Sequence, residues 1–388
     1  MRVLRSALFL LTTALYAATP AAIDAERVGN RIHLPVSVNG NAPVAFVLDT
    51  GAGTTSLDAE YAKQLGIEGE SGGKAQGAAG SVEIRVAKDV ALRVGEIDHA
   101  MKRLPLIPLG PVSLRAGRPI GGVLGRDLLG RFVTDFDYAA STITFHDPAA
   151  FQPPAGAVSL PFTFENGLPT IRVPVTLDDG RTLNVRLMVD SGAGAAVVLK
   201  KHFVEKNRID TSRGISASIG LGVGGATKER IGRVARLELA GVAFTNPVTM
   251  FSESTAGALA DRSSDGILGG EILSRFRFIT DYPHKRLWFV PTDAVKGPFH
   301  FDGSGVQLTA RDATFAAVDI FNVLPDSAAA DAGLKAGDEL RAIDGREVKA
   351  AELPDIRDLF KQPGKTYKLT ISRGGEEKEI TLTTRTVI

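Results

Sequence analysis

The chain has 388 residues, enough for two or three domains at roughly 150 residues each. Hydrophobic residues make up 44% and charged residues 23%, which excludes a disordered chain, and a net charge of +1 supplies no field to draw nucleic acid or an anionic membrane. Cysteine is absent, which excludes disulfides, thiol nucleophiles, Cys-ligated zinc and iron–sulfur clusters.

The elements run in a recognisable order. Arg2 and Arg5 precede an apolar run over 7–18 and a small-residue zone ending near Ala22. That pattern predicts a cleaved export signal over 1–22, a periplasmic or secreted protein, and no integral membrane span afterwards. Alternating residues over 32–38 predict a strand closed by the turn Asn39-Gly40, and 170–175 predict another closed by Asp178-Asp179-Gly180. Further strands are expected at 141–145 and 286–290, with short helices over 58–65 and 272–276. The stretch Phe151-Gln152-Pro153-Pro154-Ala155-Gly156 reads as a boundary. A last unit begins near Pro298. It carries Ala332-Gly333-Leu334-Lys335-Ala336-Gly337-Asp338, a helix with Leu353, Ile356, Leu359 and Phe360 on its apolar side, and a hairpin turning at Gly374-Gly375. The expected division is therefore 1–22, 27–150, 157–294 and 299–388. With 42 Gly and 20 Pro, the chain favours turns and short strands over a helical bundle.

The middle of the chain repeats itself. Phe46-Val47-Leu48-Asp49-Thr50-Gly51-Ala52-Gly53 returns as Leu187-Met188-Val189-Asp190-Ser191-Gly192-Ala193-Gly194, and Gly122-Val123-Leu124-Gly125 returns as Gly266-Ile267-Leu268-Gly269. Between these landmarks each copy holds a Gly-rich loop, Gly77-Ala78-Ala79-Gly80 and Gly222-Val223-Gly224-Gly225. Four features in one order mark a tandem duplication. A carboxylate after an apolar strand and before Thr/Ser-Gly sits on a tight turn; singly, such an Asp more commonly caps that turn. Two copies allow two carboxylates to meet. Two Asp about 3 Å apart cannot both ionise, so the pair can take a proton from water and give one to a carbonyl oxygen.

Asp-Thr-Gly-Ala and Asp-Ser-Gly-Ala, each followed later by apolar-apolar-Gly, resemble the aspartic proteases of the retropepsin and pepsin type. The resemblance spans about 27–290. It implies a mainly β fold with two tandem acid-protease-like β-barrel lobes in a pseudo-twofold bilobal unit. It implies Asp49 and Asp190 as the catalytic dyad acting on a polypeptide substrate. Thr50 and Ser191 would cross-brace the active-site loops together with Gly51 and Gly192, and the segments ending in Gly125 and Gly269 would thread beneath them. Gly77, Gly80, Gly222 and Gly225 would belong to flaps over the substrate. Ala52 and Ala193 stand where the pepsin pattern has a hydroxyl residue, which implies a dyad of higher apparent pKa working toward neutral pH. Neither flap contains the Tyr of the pepsin pattern.

The last unit is similar to the PDZ domains of bacterial envelope proteases, which implies a peptide ligand added to a sheet edge. Ala313-Thr314-Phe315-Ala316-Ala317 stands where a Gly-rich carboxylate-capturing loop is expected, which leaves internal peptide segments as the expected ligands. Gly220-Leu221-Gly222-Val223-Gly224-Gly225 satisfies GxGxxG, but no helix start or acidic residue follows at the spacing a dinucleotide requires. The six His (His33, His99, His146, His202, His284, His300) show no metal spacing, so neither metal nor cofactor is expected. The resulting expectation is an exported aspartic endopeptidase with a PDZ module that recruits or gates substrate. It would be a monomer with paired lobes or a homodimer; the alternative is an inactive peptide-binding scaffold.

Overall fold

The computed structural model describes residues 21–388, so the export signal expected from Arg2, Arg5 and the run 7–18 lies outside the described residues. Among the described residues no helix is long and apolar enough to cross a membrane. The chain is mostly β. Turn chemistry sets the hairpins: Asn39 (φ 49°) and Gly40 (φ 76°) both take positive φ, the twist that matches two flanking strands, and Val36 then pairs with Val44.

Each repeat forms one sheet. In the first, Arg31–Val38 pairs with Val44–Leu48, which runs parallel to Gly122–Leu124, then Ser56–Asp58, Ile97–Ile107 and Ser81–Val94. Val36–Val94 and Val38–Leu92 pairings join the ends, so the sheet closes on itself as a barrel. The second sheet repeats this order around Leu168–Thr176, Thr182–Asp190, Gly266–Gly269, Val197–Leu199 and Val248–Ser252. Its counterpart of the 14-residue strand Ser81–Val94 is split into Gly225–Arg233 and Arg236–Leu239.

A third, six-stranded sheet draws on both repeats. Val133–Asp137 of the first lies antiparallel to Phe276–Asp281 of the second, with Phe136 opposite Phe278. The two rings meet at a tilt, and Phe278 also meets Phe289, in a core that runs unbroken through both lobes. The last unit has its own core around Leu308, Ile320, Leu340, Ile356, Phe360 and Ile371. Its sheet runs Val306–Ala310, Val318–Val323, Glu339–Ile343, Thr366–Arg373, Glu376–Thr383, with Val306–Ala310 at one edge.

The structure corrects several details. Helix Ala59–Gln64 forms under the Asp58 N-cap, whose Oδ1 accepts from the Glu60 and Tyr61 N–H groups. The helix expected over 272–276 instead spans Gly270–Leu273, and Phe276 already begins a strand. Leu359 is 40% exposed, because in Leu353–Phe360 the buried face follows Leu353, Ile356 and Phe360 at helical spacing. Residues 313–317 lie in the turn between the first two strands of the last unit. The glycine-bearing loop that enters the edge strand is Gly303-Ser304-Gly305. Its donors are already engaged, since Asp302 Oδ1 accepts from the Ser304 N–H at 2.7 Å and the Gly305 N–H at 3.1 Å.

Candidate active site

Val47 and Leu48 are buried strand residues, and parallel pairing of Val44–Leu48 with Gly122–Leu124 delivers Asp49 to a tight turn. The Asp49 N–H donates to Leu124 O at 3.0 Å and its Oδ1 accepts from the Gly51 N–H at 2.7 Å. In the second repeat Asp190 lies opposite Gly269, and its Oδ1 accepts from the Ala193 N–H at 2.9 Å. Gly125 and Gly269 pass directly beneath the turns. A Cβ on Gly125 would fall 2.5 Å from the Thr54 carbonyl carbon, and one on Gly269 2.2 Å from Ala195 O.

The two turns interlock. The Thr50 N–H donates to Ser191 Oγ (3.1 Å), and the Ser191 N–H donates to Thr50 Oγ1 (2.9 Å). Each hydroxyl then donates across the axis, Thr50 to Val189 O and Ser191 to Leu48 O, both at 2.8 Å. Both residues are fully buried. Each carboxyl ends beneath the glycine of the opposite turn: a Cβ on Gly51 would lie 2.6 Å from Asp190 Cγ, and one on Gly192 2.4 Å from Asp49 Cγ. Only glycine permits that approach. The carboxyl groups are within hydrogen-bonding reach of one another.

Burial raises the Asp49 pKa, and the Asp190 charge beside it raises it further, well above the ordinary range. Burial raises Asp190 too, against the hydrogen bonds it accepts. Arg31, which no motif in the sequence marks, lies behind the pair. Its Nε donates to Gly192 O at 2.5 Å, and its charge pulls both carboxyls back down. Burial lowers Arg31, and the two carboxyls oppose that. A pair so arranged can share one proton and poise a water between them.

The Gly-rich loops are the tips of two hairpins, Glu70–Gln76 with Ser81–Val94 and Ile215–Gly222 with Gly225–Arg233. The tips touch: a Cβ on Gly77 would lie 1.9 Å from Val223 O, and one on Gly222 2.8 Å from the Ala78 Cβ. Gly80 approaches Gly224 O, whereas Gly225 faces open space and is required by its φ of 118°. Beside the carboxyls are two apolar walls, one of Val47, Ile107, Leu109 and Ile120 capped by Val223, the other of Met188, Val198, Ile267 and Leu259.

The second wall hides a carboxyl that strand alternation in the sequence could have flagged. Glu229 pairs with Ser252, two residues from the Ile231–Met250 pair, and through Val198, Ile267 and Met188 it shares the sheet face of Asp190. The corresponding place in the first wall belongs to Ile84. Glu229 is 4% exposed, its Oε1 accepts from Thr227 Oγ1 at 2.9 Å, and its Oε2 has no partner among the described residues. Burial raises its pKa.

The chain matches the family described as "Aspartyl protease" over residues 34–128 and 173–272, and the family described as "PDZ domain" over 304–384. It is 28% identical over 169 residues to a "Probable CtpA-like serine protease" of Staphylococcus haemolyticus (strain JCSC1435), covering 43% of this chain and 32% of that one. It is 38% identical over 68 residues to "Serine protease HTRA1" of Xenopus tropicalis, covering 18% and 14% respectively. The chain thus spans a third or less of the length of these curated relatives. Among solved structures it resembles the aspartic proteinase from Irpex lacteus, with a TM-score of 0.44, 13% identity, and coverage of 71% of this chain and 98% of that one.

Proposed function

This chain belongs to the aspartyl protease family and carries a PDZ domain, and from that premise we propose that it is an endopeptidase driven by Asp49 and Asp190. One observation carries the reading: carboxyls from two repeats of one chain are brought into mutual reach, each beneath the other turn's glycine, in a site where burial and the neighbouring charge raise the Asp49 pKa. The ionised carboxyl takes a proton from a water held between the two, and the protonated one gives its proton to the scissile carbonyl oxygen. A tetrahedral intermediate forms and collapses as a proton passes to the departing amine, with no covalent enzyme intermediate. Thr50, Ser191 and the glycines hold this geometry, and the hairpin tips at 77–80 and 222–225 close over an extended polypeptide whose side chains enter the walls.

Ala52 and Ala193 cannot donate to the carboxyls from a side chain, which favours activity toward neutral pH. The six-stranded sheet holds both repeats of one chain together, so a single chain supplies the whole dyad. The PDZ domain recruits or gates substrate, and Arg2, Arg5 and the run 7–18 send the protein to the periplasm or outside the cell. The curated relatives are named serine proteases. Among the described residues of this chain, however, no serine hydroxyl is hydrogen-bonded to a histidine, the pairing such a nucleophile uses.

The test is cleavage of an unfolded polypeptide across pH by the wild type, Asp49→Asn and Asp190→Asn. Cleavage lost by at least about a thousandfold in both variants supports the dyad. Cleavage that survives either substitution rejects it, and a wild type that binds but never cuts points to a peptide-binding scaffold.

A further inference from the structure

Helix Gly110–Ala116 sits between two sites. It begins just after Leu109 of the first apolar wall, and on one side its Val112 and Ala116 pack into that wall with Val223, the tip of the second hairpin. It also abuts the hairpin strand Ile215–Gly222.

Its other side lies on the PDZ domain, against the edge strand Val306–Ala310 and helix Leu353–Phe360. Leu114 packs on the PDZ core. Arg115 Nη1 donates to Leu308 O at 2.9 Å, and its guanidinium lies 4.7 Å from the centre of the Phe321 ring. Arg357 Nη2, from the PDZ helix, donates to Arg115 O at 2.7 Å and to the same Leu308 O at 2.9 Å. Arg118 Nη2 reaches Ala351 O at 2.9 Å. Gly117, at φ 75°, passes so close to Ala350 that a Cβ would meet its carbonyl oxygen at 1.8 Å.

A PDZ ligand is an extended strand added to a free sheet edge. Here the edge is taken. Leu308 O, a carbonyl of that edge, is spent on two guanidinium groups of this same chain. We propose that helix Gly110–Ala116 is the internal occupant of the PDZ groove, and that an extended acidic peptide pairing with strand Val306–Ala310 displaces it and loosens the cleft wall and second hairpin. The choice of an acidic peptide follows from charge. Arg115 and Arg357 spend these hydrogen bonds on backbone carbonyls, not on carboxylates. Burial and then the neighbouring Arg357 hold Arg115 down to about 9, and when helix Gly110–Ala116 leaves it takes Arg115 with it. Arg357, on the PDZ helix beside Asp302 and Asp358, is then the guanidinium whose freed hydrogen bonds a peptide carboxylate would take.

This deepens the proposed gating role of the PDZ domain and does not depend on the dyad. The experiment therefore uses the full chain with Asp49→Asn, which spares the probe, a fluorescein-labelled heptapeptide of alternating valine and glutamate. Its glutamine counterpart serves as control. The acidic peptide is expected to bind at least tenfold tighter than the control, and tenfold tighter again once Arg115→Ala is added. Amide exchange over 110–116 and 225–233 is expected to speed up at saturation. Affinities within twofold with and without Arg115→Ala, no binding to either chain, or unchanged exchange over 110–116 at saturation each overturn the proposal. The exchange measurement needs no change in the helix, so it decides the matter even where Arg115→Ala fails to fold. Failure here leaves the cleavage comparison untouched.

Discussion

Replacing Thr50 by Ala takes one oxygen from the interlocked turns and two hydrogen bonds with it. The Ser191 N–H loses its acceptor and Val189 O loses a donor, both in a region where Thr50 and Ser191 have no exposed surface for water to reach. A buried hydrogen bond contributes about 1 kcal/mol net, and a buried donor left unpaired costs roughly 1–3 kcal/mol. The expected loss is about 2–4 kcal/mol. Thr50→Ser keeps the oxygen and deletes one methyl, so it should cost only about 1 kcal/mol. The Thr50→Ala, Ser191→Ala double variant should lose less than the sum, because both belong to one network. The chain's one tryptophan, Trp288, lies in the sheet that joins the repeats, opposite Ile279 and Ser159, so its fluorescence in a urea titration reports this unit. Turnover should fall at least tenfold with little change in KM, since the hydroxyls position the carboxyls and touch no substrate. Thr50→Ala within 0.5 kcal/mol of wild type, with turnover within about twofold, would refute the reasoning.

Other outcomes follow from the same geometry. Asp49 is raised above its unfolded range, so the stability it contributes is present below about pH 4 and is lost as pH rises through its folded value. Asp49→Asn should therefore match wild type in acid and exceed it at pH 7, by about 1.4 kcal/mol for each tenfold by which folding tightens the hold of Asp49 on its proton, in urea titrations at several pH values. Glu229 obeys the same sign, and Glu229→Gln should flatten the loss of wild-type stability above about pH 4.3. Arg31 lowers both active-site carboxyls, so Arg31→Gln should move the pH–rate profile of peptide cleavage upward; an unmoved profile would deny Arg31 that influence. Gly51→Ala puts a methyl 2.6 Å from Asp190 Cγ, which must move aside, and kcat should drop by about 100-fold or more.

Some features are legible because they are local or repeated. Asn39-Gly40 announces a hairpin through its own backbone preferences, and a duplicated Asp-Thr/Ser-Gly draws attention because two equivalent turns related by an axis have each other to face. Helix Gly110–Ala116 escapes such a reading because Gly-Pro at its start looks like a loop, although proline is well suited to a first helical turn. Leu359 is misplaced by counting apolar letters without their angular positions, and 313–317 by expecting the glycine loop after the edge strand instead of before it. Arg31 carries no sequence signal of its role, since its neighbours come from strands far along the chain, and the alternation that turns Glu229 inward does not say which strands it meets there.

Residue order suffices for the twin β lobes, the separate last unit and the pairing of two acidic turns, because each of these is written in periodicity, turn residues and duplication. Contacts made on folding settle which glycine shelters which carboxyl, that an arginine backs the pair, that one apolar wall hides an acid, and that a carbonyl on the edge of the last sheet already accepts from two arginines. Those facts depend on distances between groups scores of residues apart, and burial and charge act through such distances without regard to position along the chain.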